Sequence, residues 1–187
     1  AIAQRSSVGE PYWNFTTQKE EPLAETEYSA GRIEITGGTV KTPVVIFGND
    51  NNVYNLGETR AGARIALRGG ELQLGPGGFR TGAAWQPEDS GEGSWYDAVL
   101  SGGVLSFAAN DTVSSADLRL TNRDGGAEIK VATERLNIAV TGSVFGPGTL
   151  RRAGGGALRL MGANDYTGRT EVVEGKVAVG NGFDCVV

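Results

Sequence analysis

The side chains able to do chemistry are scattered along this sequence. Asp50, Glu71, Glu88, Asp89, Asp97 and Asp111 are followed by Asp117, Asp124, Glu128, Glu134, Asp165, Glu171 and Glu174. Acid–base cleavage of a glycan needs two carboxylates held roughly 5 to 9 Å apart. A shallow groove could bring Glu71 beside Asp97, but no spacing in the sequence enforces it. There is no histidine, which removes the commonest general base and metal ligand together with the protease arrangements built on it. Cys185 is the single cysteine, so neither an internal disulfide nor a Cys/His zinc set can form; a frayed chain end explains it. The glycine-rich tracts lack the Gly-Lys-Ser/Thr ending of a phosphate-binding loop. Asn49-Asp50-Asn51-Asn52 lacks the alternating carboxylates of a calcium loop and reads as a turn. No catalytic residue, metal or cofactor is expected. Asn14-Phe15-Thr16 and Asn110-Asp111-Thr112 fit the N-glycosylation pattern, which matters only in a eukaryotic source.

Partner contact is the other chemistry on offer. Between Phe79 and Val99 an acidic, glycine-rich centre, Gln86 to Gly93, is flanked by Trp85 on one side and Trp95-Tyr96 on the other. A long interval of this kind is usually functional or disordered, and Trp and Tyr dominate binding hot spots. Trp85, Trp95 and Tyr96 are therefore the candidate partner-binding residues; the alternative is that they fold back and pin a long turn. Tyr12, Trp13 and Phe15 raise the same choice, between a cap over an open end of sheet and a ligand-stacking patch at Tyr12 and Trp13. The cap is the expectation for an atypical terminal segment.

The elements that must position these residues are strands. The chain has 187 residues, of which 30 are glycine, 39% apolar and 21% charged, enough for one folded domain with a sizeable core. Apolar residues alternate at Ile33/Ile35, Leu72/Leu74, Leu136/Ile138/Val140 and Leu158/Leu160, the period of a half-buried strand. Val44 to Phe47 is continuously apolar, which suits a strand buried on both faces. A glycine pair followed by alternating apolar residues recurs at Gly37, Gly69, Gly102, Gly125 and Gly155, steps of 32, 33, 23 and 30. Interior glycines at this density exclude helix. A parallel β-helix of about six turns, stacked about 4.8 Å apart, satisfies the pattern; a β-sandwich of short strands satisfies it too.

The net charge is -5. An acidic chain without basic clusters is a poor partner for nucleic acid or an anionic membrane. The adjacent pair Arg151-Arg152 reads as a solvated corner. No apolar run reaches the roughly 20 residues of a membrane helix, and Ala1-Ile2-Ala3 has the small residues of a cleavage site.

The densest signal lies near the end. Gly148, Leu150, Gly154, Gly156, Leu158, Leu160, Gly162, Asn164, Tyr166, Gly168, Thr170, Val172 and Gly175 stand in one register across residues 146–179. This stretch resembles the autotransporter-associated β-strand repeat, whose pattern runs G-x-L-x-K-x-G-x-G-x-L-x-L-x-G-x-N-x-Y-x-G-x-T-x-V-x-x-G-x-L. Arg152 replaces its Lys and Val177 its final Leu. The resemblance implies an all-β, right-handed parallel β-helix, with residues 1–30 as an N-terminal cap or linker and 31–187 as a segment of a longer passenger. It also implies a non-catalytic adhesin or stalk, secreted or facing outward from a bacterial outer membrane. Its partner would be a protein or glycan on a host or neighbouring cell, or another copy of itself. Membrane contact would come only through a C-terminal barrel outside these residues. A polysaccharide-processing β-helix enzyme and a self-assembling filament or sheath are the alternatives.

Overall fold

The computed structural model of the chain describes residues 12–14, 19–21, 30–47, 62–82 and 95–180. These residues are all-β. The strands are β1 (Tyr12–Asn14), β2 (Lys19–Glu21), β3 (Ala30–Phe47), β4 (Gly62–Thr81), β5 (Trp95–Leu100), β6 (Val104–Phe107), β7 (Thr112–Ser114) and β8 (Leu118–Leu120). They continue as β9 (Glu128–Val131), β10 (Asn137–Val140), β11 (Val144–Phe145), β12 (Leu150–Ala153), β13 (Ala157–Leu160), β14 (Thr170–Val172) and β15 (Lys176–Val179). Of the expected cap over residues 1–30, β1 and β2 are described as a short antiparallel pair. The remainder of that stretch, the turn at Asn49 to Asn52 and Cys185 lie outside the described residues.

Every other pairing is parallel, and the pairings form three rows. The first runs through 30–35, 62–67, β5, β8 and β11. A second runs through 39–42, 71–74, β6, β9, β12 and β14. The third starts at 44–47 and 78–81, passes to β7 where Ser115 N–H donates to the Phe79 carbonyl at 2.8 Å, and continues through β10, β13 and β15. Parallel neighbours need a crossover of a dozen residues or more, commonly a helix. Here the strands of the other two rows serve as the crossover. In the second row Val40, Leu72, Leu105, Ile129, Arg152 and Val172 are successive partners, so residue numbers step by 32, 33, 24, 23 and 20. Such parallel ladders fit the expected β-helix and not the antiparallel sheets of a sandwich.

The core is the shared inner side of the three rows. Leu72, Leu105 and Ile129 stack on one another in one column, and Ile138, Leu158 and Val177 in another, all buried. Each such side chain contributes about 1.5–3 kcal/mol by leaving water. Phe47 stacks between Phe79 (ring centroids 6.0 Å apart) and Tyr96 (4.8 Å) at one corner of this core. The run Val44 to Phe47 alternates instead of being buried on both faces: Val45 and Phe47 are buried, Val44 and Ile46 half-buried, because one side of the strand looks outward. Ile33 and Val40 are exposed although their partners Ile65 and Leu72 are buried. Their strand β3 has a ladder partner on one side only among the described residues.

Corners stack as the strands do. Gly38, Gly70 and Gly103 turn the chain from the first row to the second with φ of 69°, 70° and 71°, a left-handed conformation that costs other residues about 1–2 kcal/mol. A Cβ on Gly103 would stand 2.6 Å from the Gly70 carbonyl oxygen. Side-chain acceptors tie other corners to the following turn of chain: Asn110 Oδ1 accepts from Asn137 N–H at 2.9 Å, Asp117 Oδ1 from Ser143 N–H at 2.6 Å and Asn122 Oδ1 from Thr149 N–H at 2.9 Å. One expected correspondence fails. Gly37, Gly69, Gly102 and Gly125 do share the corner between first and second rows, but Gly155 lies between β12 and β13, at the next corner. Its true counterpart is the Gly146-Pro147-Gly148 turn between β11 and β12. The step of 30 joined two different corners.

Alanine substitutions separate strain from crowding. Gly125 has φ of 94° with nothing within 4 Å of an added Cβ, so Gly125→Ala should lose about 1–2 kcal/mol in urea unfolding. Gly103→Ala adds overpacking of about 1–3 kcal/mol to the same strain. Equal losses would remove the close-stacking account of these corners.

Candidate functional site

The outward side of the first row gathers charged side chains from successive turns of chain. Because Ile33 and Ile35 point inward, Arg32 and Glu34 point out. The register then aligns Arg32 with Arg64 and Asp97, and Glu34 with Ala66, Val99 and Arg119. The result is a cavity of about 150 Å³ walled by Arg32, Arg64, Arg68, Arg119 and Arg123. Its floor is Ala66 and Val99, buried at 3% and 4% exposure although they lie on the outer side. The aliphatic stems of the arginines cover them.

Carboxylates hold these arginines in place. Arg68 grips Asp124 with Nε–Oδ2 and Nη2–Oδ1 contacts of 3.1 Å each, and Ser101 Oγ donates to the same carboxylate at 2.5 Å. Arg119 grips Asp97 at 2.9 and 2.5 Å. Arg64 Nε lies 3.4 Å from Asp97 Oδ2, an ion-pair contact without hydrogen-bond geometry, and this buried nitrogen has no hydrogen-bond partner. Arg32 bonds Glu34. Among the described residues Arg123 has no hydrogen-bond or ion-pair partner, and the buried Thr121 Oγ1 on the cavity wall has no hydrogen-bond partner. The hydrogen bonds from Arg68, then that from Ser101, hold the Asp124 carboxyl below its ordinary value of 3.8. Asp124 bonding in turn raises the Arg68 guanidinium. With each acid bound to an arginine, the site suits holding an anion more than moving a proton.

Sequence reading found no basic cluster in this acidic chain, and the fold overturns that. Its signal was present only as an offset: Arg32, Arg64 and Asp97 each stand five residues before Gly37, Gly69 and Gly102. Glu71 and Asp97, considered as an acid pair, lie in different rows. Glu71 accepts from Ser106 Oγ at 2.6 Å, while Asp97 faces Arg119. Of the candidate contact residues, Trp85 lies outside the described residues and Trp95 opens β5, its side chain likewise outside them. Tyr96 is half-buried, stacks on Phe47 and accepts from Asp117 N–H at 2.9 Å, so its ring serves the core.

Residues 146–179 occupy the last two turns of chain. Leu150, Leu158 and Leu160 are fully buried. Gly148, Gly154 and Gly156 are buried corners, over which Gly168 and Gly175 sit directly on Gly148 and Gly154. Gly162 sits on Gly142 in the same way. Asn164 Oδ1 accepts from Val144 N–H at 3.0 Å, and Tyr166 shares a 2.6 Å hydroxyl contact with Thr170. Tyr166 and Val172 pack against the core. Arg152 is not at a solvated corner. It is 0% exposed, in register with Ile129 and Val172, and donates to the Gly154 and Gly156 carbonyls at 3.1 and 2.7 Å. Burial lowers its guanidinium pKa, opposed by the charges of Glu174 and Glu128. Arg151, by contrast, is exposed and pairs with Glu128 at 3.1 Å.

No protein-family model matches this chain, and no solved structure does. Among curated proteins, an autotransporter adhesin of Brucella suis, BmaC, is 36% identical over 74 residues. That stretch is 40% of this chain and 2% of the adhesin. The likeness supports a relation to autotransporters.

Two outcomes follow from the arginines. Arg152→Ala should cost about 2–5 kcal/mol in urea unfolding, as the Gly154 and Gly156 carbonyls lose their donor and a cavity is left. Arg151→Ala should stay within about 1 kcal/mol. For Asp124, a depressed folded-state pKa means stabilisation that is present above the ordinary carboxylate range and lost as pH falls through the lowered value. Carboxyl-carbon NMR titration should place its midpoint below 3.8, and Arg68→Gln should return it toward that value.

Proposed function

We propose that this chain is a segment of a right-handed parallel β-helical passenger, displayed at or released from a bacterial surface, which works as an adhesin-type scaffold without catalysis. The likeness to the autotransporter adhesin carries this reading. It is supported by the parallel pairing of segments whose spacing settles near 20 residues over the last turns of chain, where the repeat pattern lies. A solenoid of this kind leaves outward side chains free to vary while the inner columns keep the fold. It also suits passage through an outer membrane, since each turn of chain can add to the one before and bury apolar surface as it does. Its partner is a protein or glycan on a host or neighbouring cell.

Protease shaving of intact producing cells tests the placement. An antibody to this segment should detect, in the outer-membrane fraction or the medium, a polypeptide much larger than 19.5 kDa that protease removes without lysis. A band confined to the cytosol and protected until lysis would end the display reading.

A further inference from the structure

We infer that the arginine-walled cavity on the first row binds the anionic substituent, sulfate or carboxylate, of an acidic glycan. This deepens the adhesin reading, on which it rests for where the glycan is met; the pocket chemistry stands on its own geometry. Five arginines face three carboxylates, Glu34, Asp97 and Asp124, in a chain whose net charge is -5. Positive charge is therefore concentrated here against the trend of the whole molecule, and it is in local surplus.

The carboxylates do not exhaust the donors. Arg119 uses Nε and Nη2 on Asp97, and Arg68 uses the same two on Asp124 while its Nη1 stands 3.8 Å from Glu34 Oε1, beyond hydrogen-bond distance; a guanidinium has five N–H groups. Held from behind by an acid, each fork presents its remaining N–H groups in a fixed direction, which lowers the ordering cost of binding. Arg123 has no hydrogen-bond or ion-pair partner among the described residues, its charge acting on Asp124 at longer range, and Arg64 Nε and Thr121 Oγ1 lack hydrogen-bond partners where they are buried. An anion with several acceptor oxygens can answer Arg123 and the remaining N–H groups of Arg68 and Arg119 together, with charge-assisted bonds.

Size and surroundings choose the ligand class. About 150 Å³ is roughly the volume of five liquid waters, room for one charged substituent and part of its sugar ring. The arginine stems lying over Ala66 and Val99 give that ring an apolar floor. Among the described residues no aromatic side chain lines the cavity to stack a base, as single-stranded nucleic acid would require. The strands β4, β5 and β8 beneath it are paired on both sides, which leaves a peptide strand no edge there to join; β3, at the rim, has one ladder partner among the described residues.

The test uses the purified chain and short heparin oligosaccharides, with N- and O-desulfated oligosaccharides, polyglutamate and oligo(dT) as comparison probes, read by calorimetry or fluorescence at physiological salt. Heparin oligosaccharides should bind, more weakly as salt rises, and Arg123→Gln should weaken binding about tenfold, the worth of one charge-assisted bond. Ala66→Leu, which fills the floor without altering charge, should weaken it similarly, with unchanged circular dichroism in both variants. Retained binding of the desulfated probe would assign the site to carboxylate, and its loss to sulfate. The proposal is overturned if no oligosaccharide binds, if both variants bind like the parent, or if polyglutamate or oligo(dT) binds equally well. Binding by a chain that cell fractionation finds in the cytosol would leave the pocket standing and sink only the display reading.

Discussion

Where the chain turns from the first row of strands to the second, the carbonyl of one glycine lies over the next glycine with no room for a Cβ between them. Parallel strands about 4.8 Å apart can stay in register around a corner only if the corners stack at the same spacing. Gly38, Gly70 and Gly103 therefore share one backbone conformation, and Gly142 with Gly162 and Gly154 with Gly175 repeat the arrangement elsewhere. Once the corners are aligned, like residues fall above like in the interior. Leucine over leucine over isoleucine, as at 72, 105 and 129, follows from corner stacking as much as from hydrophobicity.

That constraint also explains how the same residue type takes two opposite roles. Outside, arginines from successive turns of chain accumulate into one charged face, where Arg32, Arg64, Arg68 and Arg119 each meet an acid. Inside, Arg152 replaces an aliphatic member of a column. A cation there is tolerable because the corner after β12 offers two glycine carbonyls within reach, and because Glu174 and Glu128 lie near enough to oppose the effect of burial. The crowding of Gly175 against this guanidinium shows the corner and the buried charge fitted to one another. Loop length is the variable left free. The step between equivalent residues shrinks from 33 to 20 along the second row without disturbing the inner columns.

The all-β character, the alternating inner residues and the turn glycines were legible because each rests on a local rule: a period of two, or a backbone conformation that only glycine adopts freely. Leu72, Leu105, Ile138 and Leu158 could be placed inside from their immediate neighbours alone. Assigning corners to one another is not local. Gly155 imitates the pairs at Gly37 and Gly102 in sequence, yet it occupies a different corner, because a shortening period changes which glycine arrives above which. The burial of Arg152 was hidden for a related reason. A charged residue beside another charged residue looks solvated until the strand's alternation is fixed by Leu150 and its ladder partners.

Composition and pattern by themselves determined that this protein is built of strands and tight glycine corners, since those properties depend on single residues and near neighbours. Only the tertiary structure decided that Arg32, Arg64, Arg68, Arg119 and Arg123 share one cavity and that Tyr96 turns inward while Asp97 turns out. Residues 20 to 33 positions apart become adjacent when the chain returns over itself, and the distance of that return is set by which backbone segments pair.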